Sequence, residues 1–253
     1  MKRLCMIEKI TGAIWTSCKY IILALFIVQM ISVSLHAEGA AEVKKLFHIE
    51  STFELPFEQP SNFSVDSKGN IYLLEDLQER VLIFNKKGGL KNIFGNMTNK
   101  KIDIYKTYSI SCDDYGQVHI FEPYQNAVVT FDSDGKLKNS TTLNFDDELE
   151  HKITDIAFMF NSFYLVDNAN DYLYIFDTKG HITKRVGKRG ELKAEFKSPF
   201  SLSFDVEGMI YVSDVLNSRV QKFASSGTYI SQVGDFGFTD GGIFRPNGVA
   251  VDS

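Results

Sequence analysis

The sequence predicts an all-β fold, a β-propeller built from four-stranded antiparallel blades. The first observation is that residues 199–234 contain four short segments rich in β-branched and aromatic residues, separated by turn-forming tetrapeptides. Such segments are typical of an antiparallel meander. The second is that this pattern recurs four times along the 253-residue chain, with a period of about 46 residues. Units of this length bury their faces against their neighbours, as propeller blades do.

Three columns of residues define the repeat. An acidic residue ends the second strand of each unit, a phenylalanine follows nine residues later, and a turn glycine comes four residues after that. The acidic residues are Glu75, Glu122, Asp167 and Asp214, the phenylalanines Phe84, Phe131, Phe176 and Phe223, and the glycines Gly88, Gly135, Gly180 and Gly227. We therefore predict blades at about 57–95, 105–143, 152–187 and 197–234, with the first strand of a fifth blade within 244–253.

The repeated polar residues are interpreted as scaffold. An Asp-x-x-Gly turn joins the first and second strands, with its glycine at Gly69, Gly116 and Gly208, and the unit around Asn161 lacks it. Carboxylates at the end of a strand accept backbone N–H groups in the turn that follows. Because the acidic column is present in every unit, we expect it to cap turns rather than to bind a metal ion.

The N-terminal segment differs in kind from the remainder. Residues 1–37 combine a basic start with an apolar run, which indicates a signal peptide or, alternatively, an uncleaved membrane anchor. Residues 38–45 are interpreted as a linker and residues 46–253 as the propeller. This arrangement predicts export, to a periplasmic, extracellular or membrane-anchored location facing away from the cytoplasm. Membrane contact is expected only through the N-terminal segment, if it stays uncleaved.

Charge and cysteine content exclude some classes of protein. Without residues 1–37, which hold four Lys or Arg residues and Glu8, the chain has 23 basic and 31 acidic residues, a net charge of −8. This balance argues against a nucleic-acid partner. Cys112 is then the single remaining cysteine, so the fold must be held by packing rather than by an internal disulfide.

The fourth unit resembles the NHL repeat, a family of propeller blades. The resemblance is carried by Pro199, Asp205, Gly208, the segment 210–214 and the segment 217–223, and it extends more weakly over residues 57–253. It implies a six-bladed ring, which would need on the order of 80 further residues at this period. The alternative is a smaller closed ring in which residues 43–57 complete a fifth blade.

Candidate binding residues lie by position around one end of the central channel, where propeller loops carry function. These residues are Asn62, Tyr108, Asp155, Phe200, Arg245 and Asn247. Aromatic, amide and guanidinium groups together suit a peptide or a sugar. The innermost strands also carry a column of small residues, which crowding near the axis explains: Ser64, Ser111, Ala157, Ser203 and Ala250.

No metal site or cofactor is predicted, because none of the five histidines has a metal-ligand spacing. His119 takes the position that Tyr72, Tyr164 and Tyr211 occupy in the other units, which indicates a packed strand residue. The sequence also contains no nucleophile elbow and no phosphate loop. The favoured function is a non-enzymatic scaffold that binds a protein, peptide or glycan. The alternative is a metal-dependent propeller enzyme of the lyase or lactonase type, as the NHL resemblance allows, with part of its site in further blades.

Overall fold

The described chain consists of four sheets, each an antiparallel meander of four strands. A computed structural model describes residues 60–75, 77–95, 109–234 and 242–251. In every sheet, consecutive strands are hydrogen-bonded neighbours. This confirms the predicted all-β propeller of four-stranded blades. The leader, the linker and Tyr108 lie outside the described residues, and no helix within the described ranges is long and apolar enough to span a membrane.

The sixteen described strands form four consecutive blades. Blade 1 contains β1 (Asn62–Val65), β2 (Ile71–Glu75), β3 (Arg80–Phe84) and β4 (Leu90–Gly95). Blade 2 contains β5 (Ile110–Cys112), β6 (Val118–Glu122), β7 (Ala127–Phe131) and β8 (Leu137–Thr142). Blade 3 contains β9 (Ile153–Met159), β10 (Ser162–Asp167), β11 (Tyr172–Asp177) and β12 (Ile182–Gly187). Blade 4 contains β13 (Pro199–Phe204), β14 (Ile210–Asp214), β15 (Arg219–Phe223) and β16 (Tyr229–Val233), with a short 3-10 turn at Val215–Asn217.

The hydrophobic core lies between successive blades, because both faces of each sheet are apolar. Tyr72 and Ile83 of blade 1 pack with Ile120 and Phe131 of blade 2 in one such cluster. Similar clusters join blade 2 to blade 3 and blade 3 to blade 4. The four phenylalanines of the repeated column are at most 2% exposed. Burial of this column therefore explains why it is kept at one spacing.

The description of the segment after blade 4 ends at residue 251, so it covers only part of the predicted strand. The sequence predicts the first strand of a fifth blade near residues 248–252, but residues 248–251 are described without strand pairing. A strand is defined by a hydrogen-bonded neighbour, and no described residue pairs with this segment. Only the four complete blades are therefore assigned as sheets in the described part of the chain.

The Asp-x-x-Gly turns share one arrangement in blades 1, 2 and 4. In blade 4, Gly208 has a φ of +78°, a value that suits glycine, and the hydroxyl of Tyr211 donates to Asp205 at 3.0 Å. In blade 2, the imidazole of His119 takes the place of the tyrosine hydroxyl, with Nε2 3.4 Å from Asp113 Oδ2. His119 is also stacked on Phe158, with ring centroids 4.5 Å apart. The histidine is thus a packed strand residue that contacts the turn carboxylate.

Replacing His119 with tyrosine should remove a pH-dependent loss of stability. Burial lowers the pKa of His119 below 6.5, although Asp113 opposes this shift. The unfolded chain binds a proton at His119 more readily than the folded protein does. The free energy of unfolding should therefore fall as the pH drops through about 6.5, by at most about 1.4 kcal/mol per pH unit. We expect urea titrations of the wild type to show this loss between about pH 7.5 and about pH 5, and His119→Tyr to lack it. Parallel stability curves for the two proteins would contradict the assignment.

Candidate binding face at the loop end of the blades

One end of the four blades gathers the turns between second and third strands and the connections between blades. We call this end the loop face. Among the connections that are described from end to end, the longest are 143–152, between β8 and β9, and 188–198, between β12 and β13. At the opposite end the strands are joined by short turns of the Asp-x-x-Gly kind. Longer loops on a rigid scaffold are where binding residues concentrate.

The carboxylates of the acidic column end their strands at this face, where each is buried and hydrogen-bonded. Glu75 accepts from Arg80 Nε at 2.6 Å, and Glu122 accepts the backbone N–H groups of Tyr124 and Gln125. Asp167 accepts from His151 Nδ1 at 2.7 Å and from the amide of Asn170. Asp214 accepts from Arg219 Nε at 2.8 Å. Each carboxylate therefore ties together the turn that follows its strand.

Arg219 has a second role, because it folds the connection 188–198. Its guanidinium is buried against Asp214 and donates to the backbone carbonyl oxygens of Glu191, Leu192 and Glu195 at 2.8–2.9 Å. Gln221 adds a bond to the Glu195 carbonyl at 2.7 Å. The connection is thus wrapped around one cation and presents Leu192, which is 70% exposed.

The connection 143–152 is fixed by side chains of blade 3. His151 is stacked on Phe145, with centroids 3.7 Å apart, and pairs with Asp167. Burial raises the pKa of Asp167, but His151 and Asn170 outweigh this and hold it below its usual range. The other ring nitrogen, His151 Nε2, is buried and lies 3.2 Å from Asp147 Oδ1, so the ring lies between two carboxylates.

Asp155 joins three blades through its carboxylate. Its carboxylate accepts from the hydroxyls of Ser109 in the segment before β5 and Ser201 in β13, at 2.6 and 2.9 Å. It also accepts the backbone N–H groups of Ile156 and Leu202. Burial raises the pKa of Asp155, and these four donors oppose the rise. The residue therefore links blades 2, 3 and 4, and both of its oxygens are engaged.

Ser109 and Ser201 contact Asp155 but are not among the predicted site residues. The predicted residues Tyr108 and Phe200 each stand one position earlier, whereas Asn62 and Asp155 lie in the same column as the two serines. The signal was available, because this column precedes the small-residue column of the innermost strands by two positions. A shift of one residue in a strand moves a side chain to the other face.

The other predicted site residues are more dispersed. Phe200 lies where the pairing of β13 with β14 is irregular, and it is exposed, while its carbonyl oxygen accepts from Thr154. Asn62 lies in blade 1, where its side-chain oxygen accepts the N–H group of Phe63. Arg245 and Asn247 are exposed in the segment after blade 4, with the guanidinium 5.7 Å above the ring of Phe244. The structure thus brings Phe200 close to Asp155, whereas Asn62 lies in blade 1 and Arg245 and Asn247 lie in the segment after blade 4.

The loop face carries a repeated exposed residue that the sequence analysis did not single out. Two positions after each acidic residue stands an apolar side chain: Leu77, Tyr124, Ala169 and Leu216. All four are exposed, with Tyr124 at 63%, and the neighbouring connections add Leu149 and Leu192. Because large apolar side chains gathered on one surface mark interaction sites, this column distinguishes the loop face as a candidate binding surface. Among the described residues, no group of three or more His, Cys, Asp or Glu side chains is arranged to hold a metal ion.

Comparison with known proteins supports the fold. Residues 142–234, which cover blades 3 and 4, match a family described as a "6-bladed beta-propeller". No curated protein matches the sequence. The chain is similar to virginiamycin B lyase from Staphylococcus aureus, with 16% identity and a TM-score of 0.51 over 72% of this chain and 60% of that one. It is also similar to a structural genomics protein of unknown function from Bacteroides thetaiotaomicron, with 14% identity and a TM-score of 0.56.

The chain is shorter than the structures it matches. The similarity to the Bacteroides thetaiotaomicron protein covers 71% of this chain and 48% of that one. The chain therefore spans about half to three fifths of the length of these solved propellers. At such identities the similarity establishes the propeller fold and leaves function to be argued from the residues themselves.

Proposed function

We propose that the chain is an exported propeller of the NHL-repeat type that acts as a binding scaffold and holds a polypeptide partner on its loop face. The observation that carries the proposal is the exposed apolar column. Leu77, Tyr124 and Leu216 occupy equivalent positions in three blades, and none of them is needed for the core because all are exposed. A repeated residue that the fold does not require indicates a surface that serves a partner.

The composition of the column favours a polypeptide over a glycan. Leucine supplies apolar area without a flat face, whereas sugars are commonly held by stacking on aromatic rings. The polar groups beneath the column are committed to the scaffold, as Asp155 with its four donors illustrates. The loop face therefore offers apolar anchors above a network of hydrogen bonds that is already satisfied, which suits docking of a protein segment.

A pair of tyrosines in blade 2 provides the test. Tyr124 is exposed on the loop face and Tyr115, at 83% exposure, on the opposite end. We expect Tyr124→Ser combined with Leu149→Ser to reduce recovery of partner proteins at least tenfold, because burial of two such side chains contributes about 3 kcal/mol. The measurement is quantitative mass spectrometry after crosslinking of the full-length tagged protein in its own cells.

Tyr115→Ser is the matched control and should leave recovery unchanged. Both variants should melt within about 2 °C of the wild type, since surface substitutions change stability by less than about 0.5 kcal/mol. Equal loss in the control, or full recovery in the double variant, would show that the loop face does not hold the partner.

A further inference from the structure

The apolar column has its smallest side chain in blade 3. At the apolar column this blade has Ala169, whereas the other three blades have a leucine or a tyrosine. The turn that carries Ala169 is bonded to the connections on both sides. Asn170 donates to the Glu150 carbonyl oxygen at 3.0 Å, and Asn168 donates to the Pro199 carbonyl oxygen at 2.9 Å. The methyl group of Ala169 thus lies between the connections 143–152 and 188–198. We call the surface around Ala169, with these two connections as its walls, the blade 3 trough.

The wall formed by connection 143–152 is acidic and also carries an apolar side chain. Four carboxylates fall within residues 146–150, and Arg185 pairs with two of them, Asp146 and Asp147, at 3.2 and 3.4 Å. Glu148, Leu149 and Glu150 are exposed. Asp147 Oδ1 accepts the N–H group of Leu149, and its Oδ2 accepts from Tyr174 and Arg185. The conformation of connection 143–152 is therefore fixed by bonds within the protein and does not need a partner.

His151 also fixes this wall from below, because its ring is 3% exposed and lies between two carboxylates. Its Nδ1 atom is 2.7 Å from Asp167 Oδ2, and its Nε2 atom is 3.2 Å from Asp147 Oδ1.

The opposite wall is apolar at its tip. Leu192 projects from connection 188–198, where its N–H group is bonded to Glu195 and its carbonyl oxygen to Arg219. Asn217 donates to the Gly190 carbonyl oxygen at 2.8 Å, which fixes the near end of this connection to blade 4. Leu149 and Leu192 thus stand on the two sides of Ala169, one of them beside exposed carboxylates.

We infer that the blade 3 trough binds an extended polypeptide segment that carries a lysine or arginine next to a leucine-sized apolar residue. The small floor admits a main chain, the leucines of the two walls contact the apolar side chain, and Glu148 and Glu150 pair with the cation. The inference rests on the proposed binding function and adds to it the place and the chemistry of the partner segment.

Two fluorescein-labelled hexapeptides test the inference on the full chain by anisotropy. One alternates leucine with lysine and the other alternates leucine with glutamate. At low ionic strength we expect the lysine peptide to bind at least tenfold more tightly, because Glu148 and Glu150 attract its lysines and repel the glutamates of the other peptide. Glu148→Lys combined with Glu150→Lys should reverse the preference. Ala169→Leu should weaken the lysine peptide at least fivefold, and its fold should persist because Leu77 and Leu216 occupy the equivalent positions.

The control variant is Glu207→Lys, which changes an exposed carboxylate in a turn at the opposite end. It should leave both affinities within twofold of the wild type. Equal affinity for the two peptides, no binding of either, or an unchanged preference in the double variant overturns the inference. If the peptide experiment fails but the Tyr124→Ser, Leu149→Ser variant still loses its cellular partner, the loop face binds a partner and only the assignment to the trough is wrong.

Discussion

Replacing Arg219 with alanine should lower the free energy of unfolding by about 3–5 kcal/mol, because it leaves the buried carboxylate of Asp214 without its cation. Burial alone raises the pKa of Asp214, and Arg219 is among the groups that oppose the rise. The substitution also removes the donors to three carbonyl oxygens of connection 188–198. Urea denaturation of the full chain, monitored by far-ultraviolet circular dichroism, measures the change.

Arg185→Ala is the matched control for that result. Arg185 also pairs with two carboxylates, but its guanidinium lies at the surface, where such pairs contribute less than about 1 kcal/mol. Arg219→Lys should recover part of the loss, since it keeps a charge near Asp214 and gives up the planar set of donors. If the two arginine-to-alanine variants are destabilised equally, burial of the Arg219 pair is not what holds this part of the fold.

Replacing Gly180 with alanine should destabilise the protein by about 3 kcal/mol or more. The glycine has a φ of +83°, and a Cβ atom there would overlap the backbone carbonyl oxygen of Thr142 in blade 2. Two rigid backbones meet at this point, since the Gly180 carbonyl oxygen accepts the N–H group of Asn144 at 2.8 Å. Neither side can yield without breaking the contact between blades.

Gly248→Ala serves as the control, because a Cβ atom at Gly248 would have no neighbour within 4 Å. Its urea midpoint should match that of the wild type, whereas the midpoint of Gly180→Ala should drop clearly or the protein should accumulate in insoluble form. A normal midpoint for Gly180→Ala would mean that the turn and β8 are not in contact in solution.

The blades could be predicted from the sequence because each repeated column has one physical cause. The phenylalanine is buried between blades, the turn glycine adopts a positive φ, and the acidic residue binds the turn after its strand. Such local requirements repeat wherever the unit repeats. The blade boundaries follow from them, which is why the strands of the structure fall within the predicted units.

The candidate site was predicted less well because it depends on departures from the repeat. Ser109 and Ser201 stand two positions before the small residues Ser111 and Ser203, whereas the predicted residues Tyr108 and Phe200 stand one position earlier. The wrapping of connection 188–198 around Arg219 joins residues more than twenty positions apart, and nothing local in the sequence signals it. The trough likewise depends on one small residue, Ala169, which stands out only when it is compared with the equivalent residues of the other blades.

Backbone N–H groups that bond to side chains across the innermost strands all donate in one direction along the chain. Ser64 accepts the N–H group of Cys112, Ser109 that of Ile156, and Asp155 that of Leu202, so each of these acceptors belongs to an earlier blade and each donor to a later one. The hydroxyls of Ser109 and Thr154 donate in the opposite direction, to Asp155 and to the carbonyl oxygen of Phe200. Each new innermost strand therefore meets side-chain acceptors that the blade before it has already placed.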